Sequence, residues 1–154
     1  MTTITGTAES VPGNRRHQPR RPESLGHQSC VELLGRGRLG RVIYTSGAMP
    51  AAQPVTYRMD RDEIVFYADR DSVLDLAVAH AVVAFEVDDI DLHDQHGWSV
   101  LAVGQAYRVT DIQRLADLDG KIPHSIWNGP VTTILAIPVG QLTGRRVRMT
   151  AADN

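Results

Sequence analysis

The 154-residue sequence contains very little cysteine and lysine. Cys30 is the single cysteine, and Lys121 is the single lysine beside fifteen arginines. One cysteine excludes a disulfide framework within the chain and suits a reducing compartment, so we expect a cytoplasmic protein. The first residues lack the apolar core of a secretory signal, and no apolar run approaches the length of a bilayer span. The sequence therefore predicts no membrane partner.

The charge of the chain is unevenly distributed. The net charge is −2, yet residues 1–22 carry four arginines against Glu9 and are therefore positive. The rest of the chain lacks the basic excess of a nucleic-acid-binding surface, so we do not expect nucleic acid as a partner. The first residues also have almost nothing to bury. We predict a disordered basic leader over 1–23 and one folded domain over 24–150.

The stretch GRGRLG, residues 35–40, has the spacing G-x-G-x-x-G. In a dinucleotide-binding loop, a strand precedes the glycines and a helix begins at them, so that the helix N-terminus faces the pyrophosphate. Here a helix-like run, QSCVELLG, precedes the glycines, and a strand-like run, RVIYTS, follows them. We interpret the stretch as a corner between a helix and a strand, without a dinucleotide.

The remaining pattern predicts a mainly β protein with short helices. About six strand-like runs follow one another in hairpin order, and Gly104 and Gly140 or Gly144 fall where strands would turn a corner. Helix-like runs occupy 28–35, the stretch after Asp71 or Ser72, and a segment that ends at Gly120. This order is typical of a six-stranded antiparallel β-barrel, closed or nearly closed.

Two polar segments are candidates for chemistry. The stretch DDIDLHDQHGW combines carboxylates and imidazoles, which are metal ligands, but it lies between two strands where polar residues are expected, so we assign no metal. In ADRDSVLD, a helix begins near Ser72 with Arg70 beside it, as at an anion site. N-capping by Ser72 or Asp71 explains the same pattern without a ligand. We identify no catalytic residue.

The order of segments resembles the FMN-binding split-barrel family typified by pyridoxamine phosphate oxidase. The resemblance covers residues 24–147 and depends on GRLGRVIY, QPVTY, IVFYADRDSVLDL, VVAFEVDDID, GWSVLAVGQAYRVTD and LTGRRV. It implies a split barrel, a homodimer with two FMN sites at the subunit interface, and a small-molecule substrate. It also explains the acidic segment as a family loop.

The resemblance further implies which residues contact the cofactor. One strand segment would run along the isoalloxazine edge through its backbone: Gln53, Pro54, Val55 and Thr56. Residues near the ribityl chain and the phosphate would be Tyr67, Ala68, Ser72 and Val73. Trp98 and Ser99 would contact the ring or phosphate, and Trp127 would reach the site from the other subunit. Arg58 is the candidate for binding an anionic substrate.

Several of these positions depart from the family pattern. Val73 replaces a phosphate-pairing lysine or arginine, Ala68 replaces a threonine, and Thr133 and Ala136 replace a polar or basic pair. Losing one charge-assisted hydrogen bond costs about 1.5–3 kcal/mol. We therefore expect weak FMN binding, which Val73→Lys together with Ala68→Thr would tighten.

Three functions remain open from the sequence. The first is an FMN-dependent oxidoreductase acting on an unknown small molecule. The alternative is a split barrel with a degenerate FMN site, reused for a non-redox reaction or for binding a hydrophobic small molecule. A third option keeps the fold and uses a deazaflavin coenzyme.

Overall fold

The structure is a computed structural model that describes residues 21–125 and 128–148. Residues 1–20, most of the predicted leader, and Trp127 lie outside the described residues. The strands are β1 (Glu23–Leu25), β2 (Leu39–Ser46), β3 (Met49–Thr56), β4 (Arg58–Asp60), β5 (Glu63–Asp69), β6 (Val82–Asp91), β7 (His96–Gln105), β8 (Tyr107–Arg108), β9 (Thr132–Pro138) and β10 (Gln141–Val147). The helices are α1 (His27–Arg36), α2 (Val73–Val78) and α3 (Ile112–Leu118).

The strands form two antiparallel sheets. Sheet A has the order β1-β10-β7-β6-β2-β3, and sheet B has the order β4-β5-β9-β8. The predicted mainly β, antiparallel split-barrel fold with short helices is confirmed, although the two sheets do not join into one closed barrel. Within the described residues, no helix is both long and apolar enough to cross a membrane.

The chain changes sheets four times, once through α2 and three times at bends, and two of these bends fall near the predicted corner glycines. The run GWSVLAVGQAYRVTD is divided at Ala106, shortly after Gly104, into β7 in sheet A and β8 in sheet B. The chain returns to sheet A between β9 and β10, where Gly140 lies. The third bend is at Tyr57, between β3 and β4.

Two apolar clusters follow from this arrangement. Between the sheets, alternate side chains of β5 and β9 pack against β2, β6, β7 and α1; Phe66, Phe85 and Leu135 are fully buried there. On the other face of sheet B, Val65 and Ile134 pack against Leu118 and Ile122 at the end of α3. Sheet B is therefore covered on both faces, which explains the nearly continuous apolar run IVFYA in β5.

The glycines of GRGRLG lie at the predicted corner between α1 and β2. A Cβ atom at Gly37 would overlap the hydroxyl of Tyr57, and one at Gly40 would lie 2.6 Å from Cζ of Phe85. Tyr57 is buried, and its hydroxyl donates a hydrogen bond to the carbonyl of Leu34 over 2.6 Å. Close packing of these aromatic rings therefore explains the glycines without a nucleotide.

Candidate functional site

The predicted ring-contacting segment, Gln53–Thr56, lies on β3, the edge strand of sheet A. Pro54 pairs with Arg41 of β2 and cannot donate to it, so this pair is of the non-hydrogen-bonded kind. Residues alternate along a strand, so the peptide groups of Ala52 and Thr56 share this orientation and point away from β2. Among the described residues no strand pairs with this edge of β3, which therefore offers donors and acceptors to a planar ring.

The predicted phosphate end is arranged differently. Ser72 is the N-cap of α2, and its hydroxyl accepts the backbone N–H of Asp75 over 3.2 Å. The carboxylate of Asp75 turns back to the same loop, where its Oδ2 accepts the N–H of Asp71 over 2.9 Å. These two contacts form a reciprocal cap, so both amides have a partner inside the chain.

Asp75 is also paired with an arginine. Nε of Arg108 lies 2.8 Å from Oδ1 of Asp75, and the second guanidinium contact, to Oδ2, is 2.9 Å. Asp75 is fully buried, and this two-pronged pair supplies the charge partner that a buried carboxylate requires. The pairing also raises the pKa of Arg108. The guanidinium of Arg108 therefore pairs with Asp75 and is not available to bind an anion.

The two departures from the family pattern lie in different environments. Val73 begins α2 with 63% of its surface exposed. Ala68 is 1% exposed and belongs to the apolar cluster between the sheets. A threonine at position 68 would place its hydroxyl in that cluster, so Val73 is the position at which a phosphate-pairing side chain can be introduced.

A short segment after α3, Lys121–Ser125, lies along the other predicted site residues. The Thr56 hydroxyl donates to the carbonyl of Pro123 over 2.8 Å. The Arg58 guanidinium lies 3.4 Å from the carbonyl of Lys121. The ring of Tyr67 is stacked on that of His124, with centroids 4.5 Å apart and an angle of 8°. The fold thus brings Thr56, Arg58 and Tyr67 together beside this segment.

Trp98 and Ser99 lie elsewhere in the chain. Both belong to β7, and β6 and β2 separate this strand from β3. Adjacent strands are about 4.8 Å apart, so β7 and β3 are about 14 Å apart within one chain. One subunit therefore does not bring Trp98 and Ser99 to the edge of β3.

The acidic segment forms the turn between β6 and β7. Ligand atoms of Asp91, Asp94 and His96 all lie within 4.8 Å of one another. Oδ1 of Asp91 accepts the backbone N–H groups of Asp94 and His93, and these bonds lower the pKa of its carboxyl group. This carboxylate closes the turn, a common role of aspartate, and we assign no metal to the cluster.

FMN would fit these residues only in part. The free edge of β3 suits the polar edge of an isoalloxazine ring. The phosphate end does not fit, because Val73 is apolar, Ser72 caps a helix, and Asp75 fills the loop with its own negative charge. Arg70, two residues before Ser72, is an exposed cation near this loop.

The sequence reasoning missed Asp75 and Arg108. Asp75 is the third residue after Ser72 in the run DSVLDLAV, which is the spacing of a capping box. That pattern could have indicated that the carboxylate turns back toward the loop. No sequence signal identified Arg108 as its partner, because the two residues are 33 positions apart.

The two antiparallel sheets define the class of split-barrel proteins. The sequence model of the pyridoxamine 5'-phosphate oxidase family matches residues 26–146, and this chain belongs to that family. An uncharacterised protein of Mycobacterium tuberculosis, Rv0080, is 31% identical over 144 residues, which are 88% of this chain and 94% of the relative.

Solved structures resemble the fold closely. An FAD-binding protein from Mycobacterium smegmatis is 28% identical, with a TM-score of 0.70 over 84% of this chain and 99% of that one. An FAD-binding protein from Mesorhizobium loti is 19% identical, with a TM-score of 0.67 over 82% of this chain and 97% of that one. The second likeness concerns the fold alone.

Proposed function

We propose that this protein binds a flavin by its ring at the free edge of β3 and serves as a flavin-dependent oxidoreductase acting on a small molecule. The free peptide groups of this edge strand are the observation on which the proposal depends. The flavin-binding relative from Mycobacterium smegmatis supports it. A bound flavin would supply hydride transfer, while the protein would supply orientation and electrostatics.

The proposed cofactor is FMN, held mainly by its ring, with Arg58 as the candidate for an anionic group of the substrate. Arg58 is exposed at the start of β4, two residues beyond the ring-contacting segment. A deazaflavin coenzyme would use the same edge of β3. Because the phosphate end offers no dedicated cation, the ring should provide most of the binding free energy.

This proposal predicts that riboflavin and FMN bind with dissociation constants within about threefold of each other. A charge-assisted phosphate contact would instead favour FMN by about 10- to 100-fold. Titration of protein freed of flavin, followed by quenching of flavin fluorescence, measures both constants and the corresponding value for FAD. Binding of none of the three flavins, or a strong preference for FMN, would contradict the proposal.

The second candidate is a split-barrel protein that holds no flavin and binds another small molecule without redox chemistry. Two observations favour it. The carboxylate of Asp75 fills the loop at the phosphate end, and the segment Lys121–Ser125 lies on Thr56 and Tyr67. Such a protein would bind neither riboflavin nor FMN, so the same titration separates the two candidates.

We also propose a homodimer formed through the outer face of sheet A. Ser99, on the outer face of β7, would then approach the edge of β3 from the partner subunit, which one subunit cannot achieve, whereas Trp98 packs toward the core between the sheets. Apolar side chains on or near this face are exposed in the single chain: Leu39 by 51%, Ile43 by 37%, Val82 by 70%, Ile90 by 57% and Val147 by 38%. Covering them would provide hydrophobic free energy for association.

We expect the wild-type protein to sediment as a dimer of the 16.9 kDa chain and Ile43→Asp to sediment as a monomer. Ile43 lies on β2 between Ala52 and Ala84, so a carboxylate there would be buried without a partner. The control is Ile112→Asp, because Ile112 is 84% exposed on α3, which covers sheet B. A wild-type monomer, or equal effects of both substitutions, would contradict the proposed interface.

A further inference from the structure

A cleft lies on the outer face of sheet B, between this sheet and α3. Its volume is about 540 Å³, within the range of about 300–1,000 Å³ found for small-molecule sites. Its walls combine an aromatic pair, apolar side chains of α3 and β9, and polar groups; those used below are Tyr67, His124, Leu115, Thr132, Arg70 and Asp119. The cleft shares Tyr67 and Thr133 with the predicted cofactor positions and adjoins the predicted phosphate end at Arg70.

The cleft contains one positive and one negative side chain that are not paired with each other. In the part of the chain that the structure describes, neither Arg70 nor Asp119 has a side-chain hydrogen bond or an ion pair. Nearby charges behave differently, since Asp117, in the last turn of α3, pairs with Arg61 at 3.6 Å. Arg70 and Asp119 therefore remain available to two groups of opposite charge on one ligand.

The wall beside these charges suits a planar ring. The imidazole of His124 lies parallel to the ring of Tyr67, and His124 is exposed, so its outer face can extend the stack. Burial, followed by the negative charge of Asp119, raises the pKa of Tyr67. Its hydroxyl therefore stays protonated at neutral pH. Leu115 adds an apolar side chain to the lining of the cleft.

We propose that this cleft binds a zwitterionic aromatic compound, of the class that includes aromatic amino acids. The carboxylate of the ligand pairs with Arg70, its amine pairs with Asp119, and its ring lies against His124 and Tyr67. Thr132 supplies a hydroxyl to the lining of the cleft. A simple acid would be repelled by Asp119 and a simple amine by Arg70, so the charges favour a ligand that carries both.

Calorimetric titration with three indole probes tests the proposal: L-tryptophan, indole-3-acetate and tryptamine. We expect L-tryptophan to bind most tightly. Arg70→Gln should weaken L-tryptophan and indole-3-acetate by about 10-fold and spare tryptamine, whereas Asp119→Asn should weaken L-tryptophan and tryptamine and spare the acid. Both residues are exposed, so the variants should fold.

The matched controls are Arg61→Gln and Asp117→Asn, which remove an exposed cation and an exposed anion that do not line the cleft. They should leave the binding of all three probes unchanged. Failure of L-tryptophan to bind at millimolar concentration, or weakening by the controls equal to that by Arg70→Gln and Asp119→Asn, would overturn the proposal. The flavin titration is a separate measurement, so either proposal can fail while the other stands.

Discussion

Arg114→Met is expected to lower the free energy of unfolding by about 3 kcal/mol, the largest effect on stability that we predict for a single substitution. Arg114 lies on α3 and is 7% exposed. Its Nε and one terminal nitrogen lie 3.2 and 3.1 Å from Oδ2 of Asp60, and its other terminal nitrogen contacts Glu63 at 3.4 Å and Tyr107 at 2.6 Å. Methionine would leave two largely buried carboxylates without their cation.

The matched control is Arg61→Met. Arg61 also joins the β4–β5 turn to α3, through a contact of 3.6 Å with Asp117, but both side chains are exposed. Exposed pairs contribute about 0.2–1 kcal/mol, so this variant should remain close to wild type. Urea unfolding of both variants at pH 7 measures the difference. Equal losses of stability would show that the buried network has no special role.

Arg114→Lys should recover only part of the lost stability. One ammonium group cannot reproduce the planar guanidinium that spans Asp60, Glu63 and Tyr107. The hydroxyl of Tyr107 also donates to the Glu63 carboxylate, with contacts of 2.8 and 2.6 Å. Full recovery by lysine would mean that charge alone, and not the geometry of the network, stabilises this end of α3.

The fold was predictable because local signals agreed with one another. Gly104 and Gly140 fall near bends where the chain changes sheets, and Ser72 caps α2 as its position before an apolar run suggests. Alternation in β2, where Val42 and Tyr44 are buried between exposed neighbours, indicates a strand with one buried face. The three-residue strands β1 and β4 carry too few residues to show a period; the sequence did not indicate β1, and it predicted β4 as the end of the strand that contains β3.

The candidate site was less predictable because it depends on contacts between distant segments. The family resemblance supplied Thr56, Arg58 and Tyr67, but nothing in the sequence indicated that Lys121–Ser125 would lie on all three. His124 belongs to no recognisable motif in the sequence. It contacts Tyr67 only because the chain after α3 runs back along sheet B. Side chains alternate between the two faces of β5. Ala68 can therefore be assigned to the core between the sheets only after the structure shows which face of sheet B meets sheet A.

Val73→Lys is expected to tighten FMN by about 10-fold or more and to leave riboflavin unchanged, since the two ligands differ by the phosphate alone. The family resemblance places the phosphate beside Val73, and this exposed side chain can be lengthened without entering the core. The buried carboxylate nearby, Asp75, is already paired with Arg108 and would not compete for the new ammonium group. The exposed Asp71 would compete only weakly.

Leu76→Lys is the matched control for this substitution. Leu76 is 62% exposed on the same helix, three residues beyond Val73, so the substitution adds the same charge one turn away from the expected phosphate position. Flavin fluorescence quenching with FMN and riboflavin on both variants gives four dissociation constants. If Leu76→Lys tightened FMN binding by the same factor as Val73→Lys, the effect would come from the added net charge and not from contact with the phosphate. Unchanged FMN affinity in Val73→Lys would show that the phosphate does not lie at the start of α2, and would favour the flavin-free function over the oxidoreductase.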